Sequence, residues 1–360
     1  MMLYKLVSHS ERVGIVSEVI SLTNFGPVGE MIESLGVPVH ALKLKDRRFW
    51  PFNLIQLASW IKAAQPTLIQ TWMYHADLIG GLIAKLAVDC PVVWGIRQST
   101  FDPISSKKST IYTAKVCAKL SSIVPAKIVC CSEASRKAHV PLGYNEDKMI
   151  VIPNGFELDR FRPDNCVREQ VRREFNLSAN AIVIGAVGRF HPQKDHRSLL
   201  QAAAIVCSEM RDCVFILCGE GVDSSNSVLA SQIQKSGLGK RVRLLGRRDD
   251  MERILTAFDV FVSSSSFGEG FPNVIGEAMA CGVPCVVTDV GDSAMIVADT
   301  GFVVPPRQSE LLAAGLQKML ILDMAERRRL GGEARRRIHE NYDLSSVAHR
   351  YANLYESVIA

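Results

Sequence analysis

The sequence predicts an α/β protein built as two domains, each a doubly wound parallel sheet. Three observations carry that prediction. Short β-branched runs alternate with stretches of 3.6-residue apolar periodicity along almost the whole chain. Most of those runs are apolar at every residue rather than at every second one, which marks strands covered by helices on both faces. The chain has 360 residues, and at roughly 150 residues per domain that length predicts two domains.

In chain order, Met2, Leu3, Leu6 and Val7 fall on one side of a short helix over residues 1–9. Strands are expected at 13–20, 37–43, 67–72, 92–97, 127–132 and 149–152, with a helix at 76–88. A doubly wound sheet opens on a strand, whereas here a helix comes first. Turn chemistry at Ile152-Pro153-Asn154-Gly155, and again at Phe161-Arg162-Pro163-Asp164, ends this series and places the boundary between residues 154 and 155. The second series predicts strands at 181–188, 213–218, 241–245, 258–264, 283–289 and 301–304. Its helix at 196–209 has Asp195 as N-cap, with Leu199, Leu200, Ala203 and Cys207 on one side.

Composition narrows the function classes. Apolar residues are 48% of the chain and charged residues 22%, close to the globular average. No run approaches the roughly 18 apolar residues of a membrane span. The opening Met1-Met2-Leu3-Tyr4-Lys5 is too soon polar for a secretory leader. The ten cysteines are single except Cys130-Cys131, with no CxxC and no zinc spacing. They read as small buried side chains in a reducing cytoplasm. Net charge is +5, unevenly spread: residues 1–155 hold 17 Lys and Arg against 11 Asp and Glu, the rest 25 against 26. A basic first half suits phosphates or an acidic membrane surface, and equally suits ordinary surface charge. Nothing matches a nucleic-acid module, and neither a G-x-G-x-x-G dinucleotide turn nor a P-loop is present.

Two segments carry chemistry. In 258–289, FDVFVSSSSFGEGFPNVIGEAMACGVPCVVTD, a strand runs into a loop and then a helix. Pro272 suits the first helical position and Gly282 stops the helix. The strand end and helix start meet at Gly268-Glu269-Gly270-Phe271, where glycines admit a ligand to the backbone and N–H groups receive phosphate or sugar oxygen. Glu277 shares a side with Asn273, while Val274, Ile275, Ala278 and Met279 pack elsewhere. The plainer reading, a solvated Ser-rich loop, fits poorly with a helix that is otherwise nearly all apolar. In 181–196, AIVIGAVGRFHPQKDH, a buried strand ends at Gly188-Arg189, and Lys194 precedes the Asp195 cap. Both cations sit at the carboxyl end of a strand, where α/β folds bind ligands, and together can hold a diphosphate. His191 reads as a local turn contact.

The order Pro153-Asn154-Gly155, Gly188-Arg189 with Lys194, Cys218-Gly219-Glu220-Gly221, Leu245-Gly246, then Glu269 with seven residues to Glu277, resembles the retaining glycosyltransferases of group 1 (family 4). The likeness runs over about residues 60–350. Gln70-Thr71-Trp72, His75-Ala76-Asp77 and Trp94-Gly95-Ile96-Arg97-Gln98-Ser99 resemble a bacterial surface-polysaccharide subgroup. The resemblance implies the GT-B fold, two Rossmann-like domains facing across a cleft. The acceptor-side domain would be 1–154 with a returning tail at 343–360, and the nucleotide-sugar domain 155–342. It implies that Arg189 and Lys194 hold the donor diphosphate, that Glu277 accepts from ribose hydroxyls, and that Asn273 adds to the donor site. Glu269 and the amides of Gly270 and Phe271 would hold the sugar, and the peptide at Gly246 would lie near the base. A metal is then unnecessary, in keeping with the lack of Asp-x-Asp. The nucleotide-sugar is a substrate, so no cofactor is expected.

Where the family places a His after the fourth strand, near the donor phosphate and sugar, the alignment gives Gln98 as the catalytic candidate beside Glu269, or Arg97 with a one-residue shift; His75 is the substitute catalytic candidate. Gln is neither acid nor base at neutral pH, but in retaining transfer the leaving phosphate can take the acceptor's proton. The family also opens with a strand and a Gly-Gly loop before a helix like Met2-Leu3-Tyr4-Lys5-Leu6. The resemblance therefore implies that strand and loop are absent here, with 13–20 and 67–72 beside the gap and the first domain the less stable. The implied activity is transfer of a sugar, from a UDP-sugar by preference, to a lipid-linked or glycan acceptor of the cell envelope. The rival reading is a non-catalytic remnant that binds nucleotide through its second domain. Lys108, Lys115 and Lys119 share a helix side that suits anionic lipid or plain solvent, and the expected location is the cytoplasm, at the inner membrane face.

Overall fold

The computed structural model describes residues 1–360 apart from 45–49, 102–106, 179–180 and 211. The chain divides into two compact units, Met1–Gly155 with Leu344–Ala360, and Phe156–Asp343.

The first unit begins with α1 (Met2–Ser10), β1 (Val19–Ser21), α2 (Gly26–Glu33), β2 (Val39–Ala41) and α3 (Trp50–Ala64). It continues with β3 (Ile69–Gln70), α4 (Tyr74–Ala87), β4 (Val92–Ile96), α5 (Lys108–Leu120), β5 (Lys127–Cys130), α6 (Glu133–His139) and β6 (Met149–Val151). Its strands form two separate parallel sheets, β1-β2 and β3-β4-β5-β6. β4 is buried at every residue, as its unbroken apolar run requires. The strand expected at 13–20 shrinks to Val19–Ser21. Glu11–Val13 make a 3₁₀ turn, Gly14 sits at φ +72°, and Val16 is 99% exposed. The left-handed Gly14 breaks the extended run, and Val16 beyond it stays exposed.

The second unit runs α7 (Asn165–Glu174), β7 (Ile182–Val187), α8 (His196–Glu209), β8 (Cys213–Cys218), α9 (Ser227–Lys235), β9 (Val242–Leu244) and α10 (Met251–Thr256). Then come β10 (Val260–Ser263), α11 (Asn273–Ala280), β11 (Cys285–Thr288), α12 (Ser293–Val297), β12 (Gly301–Val304), α13 (Ser309–Ile321) and α14 (Met324–Tyr342). The last helix, α15 (Leu344–Ile359), returns to the first unit, where Val347, Tyr351 and Leu354 pack on Val93 and Val129.

The second unit's six strands are all parallel, in the order β12-β11-β10-β7-β8-β9. Leu199, Ala203 and Val206 of α8 pack with Leu312 and Leu316 of α13 in its main core cluster. Strand order reverses between β7 and β10: from β7 the chain steps to β8 and β9, then returns to place β10 on β7's other side. The carboxyl ends of the strands at such a reversal are the usual ligand position of these sheets.

Candidate functional site

Both chemistry-bearing segments leave the sheet at this reversal. After β7, Gly188-Arg189-Phe190 leads to a 3₁₀ turn at Pro192–Lys194 and then to Asp195. Asp195 lies at φ +44° and caps α8 as expected, accepting from Ser198 N at 3.2 Å and Ser198 Oγ at 2.7 Å. His191 makes the local turn contact, its Nδ1 accepting from Gln193 N at 3.2 Å. The loop after β10 is stitched to this one: Ser264 Oγ donates to the Lys194 carbonyl at 2.7 Å, and Ser266 N to the Gln193 carbonyl at 2.8 Å.

That stitching brings Lys194 onto Glu269. Lys194 Nζ lies 2.5 Å from Glu269 Oε1, which also accepts from Ser265 Oγ at 2.7 Å. Ser265 is 1% exposed, and its carbonyl accepts from Thr288 Oγ1 at 2.6 Å. Glu269 itself is 9% exposed. A charge-assisted hydrogen bond so far out of water is strong, and removing one partner strands the other.

The glycine backbone is held from the β11 side. Gly291, at φ +63°, passes so close that a Cβ there would sit 2.2 Å from the Glu269 carbonyl oxygen. Asp292 N donates to the Gly270 carbonyl at 3.0 Å. Pro272 proves to be the N-cap rather than the first helical residue, and supplies no side-chain cap to the first turn of α11. Asn273 at that turn is exposed, and Glu277, one turn on, is half-buried. Phe271 is 7% exposed and packs on Phe156 and Tyr342, with ring centroids 6.0 and 5.4 Å apart, so its side chain is core and only its backbone faces the loop. Arg189 is exposed, its Nη2 3.5 Å from Gln193 Oε1.

Arg189, Lys194, Glu269, Gly270, Phe271, Asn273 and Glu277 thus all lie on the loops and helix that leave β7 and β10. Gly246 stands apart, at the end of edge strand β9. Its amide donates to Val222 O at 2.8 Å and its carbonyl accepts from Gly219 N at 2.9 Å, so both groups are used within the fold. Gln98 and His75 belong to the other unit. Gln98 Nε2 donates to the Thr100 carbonyl at 2.6 Å. His75 is the exposed second residue of α4. Arg97, the alternative to Gln98, is tied down: Nη1 donates to Asn154 Oδ1 at 2.7 Å, Nη2 to the Tyr351 hydroxyl at 2.9 Å, and its guanidinium lies 4.2 Å over the Trp72 ring. Sequence reasoning missed Ser265, Thr288 and Gly291 as supports of Glu269. The four-serine run after a buried strand was the available signal. Lys108, Lys115 and Lys119 are exposed along α5, with Tyr112 71% exposed among them. Among the described residues, no helix is long and apolar enough to cross a membrane.

The pattern of the family described as Glycosyltransferase Family 4 matches residues 2–160, and that described as Glycosyl transferases group 1 matches residues 181–321. An Escherichia coli UDP-Gal:alpha-D-GlcNAc-diphosphoundecaprenol alpha-1,3-galactosyltransferase is 30% identical over 253 residues, 68% of this chain but 63% of that protein, so the match spans less than two thirds of the relative's length. A Campylobacter jejuni N,N'-diacetylbacillosaminyl-diphospho-undecaprenol alpha-1,3-N-acetylgalactosaminyltransferase is 25% identical over 92% of this chain and 88% of its own. Among solved structures, Anabaena HepE in complex with UDP superposes with a TM-score of 0.87 at 22% identity, over 99% of this chain and 96% of that one. The chain belongs to the group 1, family 4 glycosyltransferases, and its two Rossmann-like units are those of the GT-B fold.

Proposed function

We propose that the protein is a retaining glycosyltransferase that moves a sugar from a UDP-sugar to a lipid-linked or glycan acceptor in cell-envelope polysaccharide synthesis. The observation that carries this reading is the Lys194–Glu269 pair, held by Ser265 at the sheet reversal beside the start of α11. UDP is the donor nucleotide because the Escherichia coli relative is named for UDP-galactose and HepE was solved with UDP. Both bacterial relatives are also named for diphosphoundecaprenol-linked acceptors.

In this reading Phe156–Asp343 binds the donor. Its diphosphate competes with Glu269 for Lys194, and Arg189 adds a second cation from the exposed rim. Together with the first-turn amides of α11 they neutralise the leaving nucleotide, so no metal is required. Glu277 and Asn273 take the ribose side. Glu269, released from Lys194 and still held by Ser265, turns to the sugar hydroxyls beside the amides of Gly270 and Phe271. The bond from the anomeric carbon to the diphosphate breaks as the acceptor oxygen bonds to that carbon on the same face, and the departing phosphate oxygen takes the acceptor's proton. Gln98 and His75 are the catalytic candidates of the other unit, whose α5 lysines suit an anionic membrane surface.

Hydrolysis of UDP-, GDP- and ADP-sugars without acceptor tests the donor assignment. Release of UDP in excess of the other two, lost in Arg189→Ala, is the expected result. Equal rates with all three nucleotides would refute it.

A further inference from the structure

The outer side of the first unit's helices carries an apolar groove. α3 and α4 each bury one side in the core, Leu57 and Ile61 of α3 with Tyr74 and Ala84 of α4. A surface helix ordinarily presents polar side chains on its other side. Here apolar side chains spill over onto it. Leu44, Leu54, Leu78, Ile79, Leu82 and Ile83 line a hollow of about 140 Å³, with no polar side chain among them, and all six are half-buried. A cavity of that order with leucine and isoleucine walls takes a small hydrocarbon such as benzene. On the same two helices, Phe52 and Ile55 of α3 are 72% and 68% exposed, and Leu86 of α4 is 83% exposed. Apolar side chains gathered on a surface in this way mark the seat of an apolar partner.

Helical spacing gives the groove a direction. His75, Ile79, Leu82 and Leu86 follow one another at intervals of four, three and four residues, and so share a side of α4. The exposed His75 heads this row at the helix start, just after β3, and Leu86 ends it in the last turn, about 16 Å further along the axis. The exposed charge on α3, α4 and α5 is of one sign, carried by Lys62, Lys85, Lys108, Lys115 and Lys119. The sole acid of the three helices, Asp77, is fully buried. Such surroundings favour a ligand that joins hydrocarbon to an anion.

Building on the lipid-linked acceptor of the proposed function, we propose that the groove between α3 and α4 seats that acceptor's hydrocarbon chain and leads its phosphate-linked head group along α4 to His75. A bilayer meets side chains that project into it, whereas a hollow this narrow receives a single chain. With the head at His75, the chain leaves the groove past Leu86. Lys62 and Lys85 stand in the last turns of α3 and α4, where they suit the phosphates of the lipid surface from which the chain comes. His75 then meets the acceptor's head because the row of apolar side chains behind it holds the tail.

Calorimetric titration with farnesyl diphosphate and with inorganic diphosphate tests this, on the full chain saturated with UDP so that the cations of the second unit are occupied. The prenyl compound is expected to bind at least about tenfold more tightly. Leu82→Trp, which fills the hollow, should remove that preference. Leu86→Gln alters a side chain 83% exposed, leaves the fold alone, and should cut the preference about threefold. Equal affinities for the two diphosphates in wild type would overturn the proposal, as would a preference that both variants keep. Two other occupants give results of their own, and either would overturn it. A groove that meets a bilayer shows no prenyl preference, yet pelleting with phosphatidylglycerol vesicles is lost in Leu82→Trp. A groove that meets a second copy gives a wild-type dimer that Leu86→Gln dissociates. Donor hydrolysis needs no acceptor and so separates the two readings. UDP-sugar cleavage without prenyl preference would overturn the groove alone. Prenyl preference without cleavage would support the groove and count against the transferase reading.

Discussion

Lys194 and Glu269 are 75 residues apart in sequence, and no spacing rule pairs them. The sequence exposes each alone, as a cation before a helix cap and a carboxylate between glycines. Their contact depends on β10 returning to β7, a property of strand order. Glu269→Gln keeps the Ser265 hydrogen bond but loses the charge, and turnover should fall by about 100-fold with donor KM little changed. Steady-state kinetics check this, and equal losses in both constants would argue against a role at the sugar. Asp77 supplies a residue-scale prediction about stability. It is fully buried, and its Oδ1 accepts from Thr71 Oγ1 at 2.6 Å and Gly95 N at 3.4 Å. Its Oδ2 has no partner among the described residues. Burial pushes this carboxyl up to about 8 in spite of those two donors. The folded chain therefore holds a proton that the unfolded chain gives up near its ordinary value of 3.8. Stability from this group is full below that value, falls as pH rises towards 8, and is level beyond. Asp77→Asn should flatten that fall in urea titrations run from pH 5 to 8.

At the scale of elements, all twelve expected strands have a counterpart, because runs such as Val260-Phe261-Val262 are apolar throughout and bounded by turn residues. The ends of strands were less legible. The run at 13–20 is apolar enough for a strand, but only Val19–Ser21 has a neighbour to pair with, and pairing is not written in local composition. Residues 1–9 were legible as a helix from periodicity alone, and α1 spans Met2–Ser10. The glycine loops between strands and helices were visible, but not what they pack against. Gly219 illustrates this: at φ +153°, a Cβ there would lie 2.1 Å from the Gly188 carbonyl oxygen, just before Arg189. Gly219→Ala should destabilise the second unit by about 2–4 kcal/mol, adding backbone strain to a clash with main chain. Chemical denaturation checks it, and a loss below about 0.5 kcal/mol would show that this turn relaxes freely.

For the whole molecule, two compact units with separate cores predict two unfolding transitions rather than one. The first unit, whose sheet is split, should unfold at the lower urea concentration. Exchange-detected unfolding assigns each transition to its residues, and a single cooperative transition would contradict this. The two-unit organisation was legible from length and from the Pro153-Asn154-Gly155 turn. The central claim remains that the sheet reversal in Phe156–Asp343 is the donor site, with Lys194 exchanging Glu269 for a phosphate. Calorimetric titration of UDP into wild type, Lys194→Ala and Glu269→Gln tests it most directly. The account predicts that Lys194→Ala weakens UDP by about 1.5–3 kcal/mol, the worth of a hydrogen bond to a charged group. Glu269→Gln, which frees Lys194 from its competitor, should bind UDP at least as tightly as wild type. UDP affinity unchanged by Lys194→Ala, or reduced as much by Glu269→Gln, would contradict it.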